Sequence, residues 1–202
     1  MSAQLSLFAC GGAATAPLWA FGGSRSLGAD ASALASAAAA ALLASGAELV
    51  VGCCKGADAS ALSAAVGAGL ASRVSVLGAF GPLGAPGRWP AGACPASAVA
   101  SVRAAVRAGA AYRPWAGGPG SVPLSARLSG RTRAVAAAAS AGAVVVLAPG
   151  SRGALILARA VARRGLPVLA LPVCGAQLPA LGAGRWLPAS GALGRLGAHQ
   201  LS

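Results

Sequence analysis

Short apolar runs closed by glycine alternate with alanine-rich stretches of helical length through most of this chain. That alternation is the pattern of βαβ units, in which a buried parallel strand hands over to a crossover helix. The strand candidates are Leu18 to Phe21, Glu48 to Val51, Arg73 to Ala79, Ala143 to Leu147 and Val168 to Leu171. Helix candidates are Ala29 to Ala44, Asp58 to Val66, Ala96 to Ala108, Ser125 to Ala141 and Gly153 to Arg164. The expected fold is therefore α/β: a Rossmann-like, doubly wound, mostly parallel sheet flanked by helices. Residues 81–95 and 112–123 are rich in Gly and Pro and read as two long loops. Residues 1–16 read as a loose N-terminal arm, 17–172 as one domain, and 173–202 as a C-terminal extension without assignable elements.

The 202 residues are 56% hydrophobic but only 4% aromatic, so a core must be built from Ala, Val and Leu. Such a core depends on close backbone approach rather than on large side chains. Low charge with high hydropathy opposes disorder, which needs the reverse. A mean hydropathy of +0.72 raises the question of a membrane span. The charge-free stretches 31–47 and 134–151 are too rich in Ala and Gly to make one, since a span needs about twenty strongly apolar residues. Near the N-terminus, Leu7 to Cys10 and Ala14 to Ala16 imitate processing sites, but no Lys or Arg precedes them, so no signal peptide is expected.

Five cysteines, at 10, 53, 54, 94 and 174, show no CxxC spacing and fit a reducing cytoplasm. Cys53 and Cys54 read as small core residues. With His199 alone in the C-terminal stretch, no metal site is expected, and no cofactor either. The three acidic residues argue against two-carboxylate chemistry and against Ca²⁺ or Mg²⁺ cages built from side chains.

Charge is one-sided: 16 Lys and Arg against 3 Asp and Glu give +13, and Lys55 is the single lysine. A GC-rich genome favours Ala, Gly and Arg as well, so the excess has both a compositional and a functional reading. In open α/β sheets, ligands gather beyond the carboxyl ends of the strands, at helix N-termini. Three segments fall there. Gly22, Gly23, Ser24, Arg25 and Ser26 combine small residues, hydroxyls and a guanidinium, and we read them as a phosphate turn rather than a plain strand-to-helix turn. They match neither a Walker A loop nor GxGxxG. Lys55, Gly56 and Asp58 occupy the second position, where Asp58 is alternatively a helix N-cap. Gly150, Ser151, Arg152 and Gly153 occupy the third, with a solvated turn as the alternative.

Arg127, Arg131 and Arg133 add a cationic cluster on one helix, with Arg127 and Arg131 on a shared face and Arg133 pointing elsewhere. With so few acids in the chain, these arginines are expected to lack salt-bridge partners and to await an external anion, with a solvated face as the alternative.

The order of these segments resembles the Rossmann-like core of the DNA-processing protein A family (DprA/Smf), within the SLOG superfamily that also holds the lonely-guy (LOG) phosphoribohydrolases. The resemblance covers residues 17–172. The family's Gly-Ser-Arg turn is matched at Gly23, Ser24 and Arg25, and its Gly-Ile-Asp motif at Gly56, Ala57 and Asp58, with Leu62 where a His usually follows. Its Arg-Asn-Arg motif becomes Arg131, Thr132 and Arg133. Its Ser-Gly-Ser-Leu-Ile-Thr turn becomes Arg152 to Leu157 without the hydroxyls. Pro149 to Gly153 is similar to the LOG Pro-Gly-Gly motif, but the Glu that follows in those enzymes is absent, which argues against hydrolysis. The resemblance implies binding of single-stranded DNA, with a recombinase partner as a further implication; a homodimer and no membrane association are expected besides. Trp89, Tyr112 and Trp115, placed in the long loops, are the candidates for base stacking. The alternative is a sensor or carrier of a phosphate-bearing nucleotide.

Overall fold

A computed structural model of the chain describes residues 16–78, 96–114 and 122–202. Trp89, Trp115 and residues 1–15 of the N-terminal arm lie outside those residues.

The apolar runs form strands β1 (Leu18–Gly23), β2 (Glu48–Val51), β3 (Val74–Gly78), β5 (Gly142–Leu147) and β6 (Val168–Pro172). Between them lie α1 (Ala29–Ala44), α2 (Ala57–Gly67), α3 (Ala96–Arg107), α4 (Leu124–Ala138) and α5 (Arg152–Ala162). A short strand β4 (Ala111–Pro114) and a C-terminal β7 (Trp186–Pro188), α6 (Gly191–Arg195) and β8 (His199–Leu201) complete the order. One eight-stranded sheet results, in the order β4-β3-β2-β1-β5-β6-β8-β7. The first six of these pair in parallel, whereas β8 and β7 join antiparallel at one edge. The chain leaves β1 toward β2 and β3, then returns to place β5 on the other side of β1. This reversal is the topological switch point.

Period-two alternation splits the sheet between two cores. Phe21, Leu49, Val51, Val144 and Val146 face α1 and α2, while Ala20, Val50, Ala143 and Val145 face α4 and α5. β5 is buried at every position, as a central parallel strand covered on both faces must be. The helices approach closely because alanine lines them: Ala35, Ala38 and Ala39 of α1 and Ala61 and Ala65 of α2 are buried in one cluster.

Two expectations need correction, and one unassigned stretch gains elements. Residues 112–114, expected to begin a loop, belong instead to β4, and Tyr112 is half-buried there with its hydroxyl over Gly78, so it is not a loop-borne stacking residue. The Gly and Pro around β4 hide a strand of only four residues, held by its pairing with β3. α4 stops at Ala138, because Ser140 and Ala141 turn to donate to the Leu18 carbonyl. Residues beyond Pro172, unassignable from pattern, contribute two strands of three residues each. Trp186 anchors them through a 2.7 Å hydrogen bond from Nε1 to the Pro179 carbonyl.

Candidate phosphate-binding edge

β1 ends in glycine because β5 lies against it. A Cβ on Gly23 would stand 2.3 Å from the Val146 carbonyl oxygen, so no side chain fits. Ser24 then donates its N–H to that carbonyl at 2.9 Å, which holds the turn to the sheet. The Ser24 hydroxyl accepts from the Ser26 N–H at 3.2 Å, curling the chain so that Arg25 is exposed at the crest.

The second turn stacks on the first. Gly56 has φ +76, and a Cβ there would lie 2.2 Å from the Ser24 carbonyl oxygen. Ala57 donates to this same carbonyl at 3.0 Å. Lys55 beside it is exposed. The third turn follows β5, with Gly150 at φ +75 and the Ser151 hydroxyl accepting from the Ala148 N–H at 3.2 Å. Arg152 is exposed at the first turn of α5, whose N-terminus, the positive end of its dipole, lies toward the same edge. Parallel strands deliver all three turns to one side of the sheet.

Two grooves run along this edge. One, of about 520 Å³, lies between Gly23–Ser26, Pro149–Gly153 and the α4 residues Ser125, Ser129 and Thr132. The other, of about 720 Å³, runs between α1 and α2 and is lined by Lys55, Gly56, Ser32, Ser36, Ser60 and Ser63. Both are lined by Arg25 and Ser26, so they meet at that crest. Neither is lined by a carboxylate. The serines on α1, α2 and α4 were not among the sequence candidates. Their spacing of three or four residues, at 32 and 36, 60 and 63, and 125 and 129, carried the information.

Asp58 and Arg131 do something else. Arg131 Nη1 lies 3.1 Å from Asp58 Oδ2, and both side chains are buried. The same oxygen accepts the Cys54 N–H at 3.0 Å, and Arg131 Nη2 donates to Cys54 Sγ at 3.1 Å. Gly52 makes room, since a Cβ there would overlap the guanidinium at 1.2 Å. Asp58 is thus no N-cap: it is the second residue of α2 and reaches back to the preceding turn. The expectation that the arginine cluster lacks an internal partner fails at Arg131.

Burial alone would lower the Arg131 pKa, but the carboxylate of Asp58 outweighs it and the guanidinium stays charged. The Cys54 thiol is pushed far up by its hydrogen bond with Cys53 and by burial, against the opposing charge of Arg131, and remains neutral. Arg127 shares the buried face of α4, and its Nε has no hydrogen-bond partner among the described residues. Arg133 is exposed and lines neither groove.

No protein-family model matches the chain, and no curated protein matches its sequence. The fold is similar to the X-ray structure of DNA processing protein A (DprA) from Streptococcus pneumoniae, with a TM-score of 0.54 and 21% identity over 79% of this chain. The chain has the DprA fold. It spans about half of that structure, 52% of its length. The Rossmann-like α/β architecture expected from the sequence is the one observed. Among the described residues, no helix is long and apolar enough to cross a membrane.

Proposed function

We propose that this chain binds single-stranded DNA through its phosphates along the C-terminal edge of the sheet. The observation that carries this reading is the meeting of two hydroxyl-lined grooves at Arg25 and Ser26. A mononucleotide needs one such groove, whereas an extended polyanion can use both. Arg25, Lys55 and Arg152 are the exposed cations on this path, and no carboxylate opposes them. Arg25 grips phosphate by its guanidinium fork, helped by the N-terminal N–H groups of α5. Similarity to a protein named for DNA processing supports the choice of polymer.

Fluorescence anisotropy with single-stranded oligonucleotides of increasing length tests the reading. Affinity should rise with length beyond one nucleotide, and Arg25→Ala should weaken it by about 1–3 kcal/mol, the cost of a charge-assisted contact. Arg195→Ala, at the end of α6, should change almost nothing. Equal losses for the two variants would replace the site with a diffuse basic surface. Saturation by a mononucleotide, with no gain from length, would favour the nucleotide-carrier reading instead.

A further inference from the structure

α5 runs antiparallel to the strands it packs on, so it carries its last turn to the edge of the sheet opposite the grooves. Its 11 residues span about 16 Å at 1.5 Å per residue. At that far end Arg159 and Arg163, one turn apart and both exposed, line a cleft of about 350 Å³ with Ala162, Ala180, Leu181 and Gly182.

Both walls are fixed. Val161 and Ala158 seat α5 in the core, Leu181 is buried in the same cluster, and the Trp186 bond to the Pro179 carbonyl pins the opposing segment. The neighbouring Arg164 donates to the Ala136 carbonyl of α4. Neither the Arg159 nor the Arg163 guanidinium has a hydrogen bond or ion pair among the described residues. Cations suit a helix C-terminus, but the dipole does not account for two free guanidinia over an apolar floor.

We propose that this cleft docks a segment of a partner protein in which carboxylates flank an apolar side chain. The carboxylates would take the guanidinium pair, and the apolar side chain would cover Ala162, Ala180 and Leu181. Charge complementarity decides the occupant. A second copy of this chain carries the same +13, and its three acids, Asp30, Glu48 and Asp58, are scattered. A nucleic acid would find no hydroxyls on this floor, unlike the grooves at the other edge. This inference stands apart from the DNA reading, and the two sites lie far enough apart to be filled together.

The test uses the full chain and a panel of dye-labelled peptides in which paired Asp or Glu flank Leu, Val or Phe, read by fluorescence polarisation at low ionic strength. At least one peptide should bind, and the double variant Arg159→Glu/Arg163→Glu should weaken it by about tenfold or more, as loss of two charge-assisted contacts predicts. Replacing the apolar residue of the peptide by Ser should weaken it too, while an oligonucleotide and Arg25→Ala should leave binding unchanged. An unaltered thermal midpoint in the double variant shows that the fold is kept. Failure of every peptide, equal binding to an all-acidic peptide, or displacement by the oligonucleotide would overturn the proposal. Those outcomes leave the DNA reading intact, because oligonucleotide anisotropy is measured separately.

Discussion

Arg131 Nη1 sits 3.1 Å from Asp58 Oδ2 although 73 residues separate them in the chain. The pair lies beneath the exposed crest of Arg25, and both line the same small void with Gly22, Gly23 and Gly52. One arginine thus holds the second turn to α4 from below, while another is left free above it.

Breaking this pair from one side should be costly. Asp58→Ala leaves a buried guanidinium without its counter-charge and a Cys54 N–H without its acceptor, and urea denaturation should show a loss of about 3–5 kcal/mol. The double variant Asp58→Leu/Arg131→Met removes both charges and should lose less than Asp58→Ala alone. A double variant that loses the sum of the two single losses would show that the groups are not coupled.

Gly52→Ala should act through the same pair. Its Cβ would displace the Arg131 guanidinium, costing about 1–3 kcal/mol as overpacking does. In an Arg131→Met background, where the shorter side chain frees the space, the same substitution should cost distinctly less. Additive losses in denaturation would rule out this contact as the cause.

Salt dependence counts the phosphate contacts. With Arg25, Lys55 and Arg152 engaged, the logarithm of oligonucleotide affinity should fall against the logarithm of salt with a slope near −2, about 0.7 for each contact on a single strand. Arg152→Ala should reduce the slope by about 0.7 and Arg133→Ala should not. An equal change in both would move the binding path onto the outer face of α4.

Alkaline stability should depend on Cys54. Its folded pKa is raised, so its contribution is full below the ordinary thiol value of 9.0 and is lost as pH rises above it, where the unfolded chain releases a proton that the folded chain keeps. One such proton is a slope of about 1.4 kcal/mol per pH unit. Unfolding free energies from pH 9 upward should fall more steeply for the wild type than for Cys54→Ala by that amount. Parallel curves would contradict a neutral, buried thiol.

Five of the strands and five of the helices were legible in the sequence, as apolar runs and alanine-rich stretches of helical length. Apolar runs closed by Gly22-Gly23, by Gly52 and by Pro149-Gly150 mark parallel strands whose next residues must leave the sheet, so the three turns were legible from local pattern. Which charge meets which depends on the packing of distant elements. Helical spacing sets Arg127 and Arg131 apart from Arg133, but which of those faces is buried depends on rotation about the helix axis relative to a sheet the local pattern does not contain. Nor does any local period announce that the single acid of the second turn will reach α4, or that Tyr112 will enter a four-residue edge strand. Strands as short as β4, β7 and β8 have no periodicity of their own and exist because a neighbouring strand presents unpaired N–H and C=O groups to them.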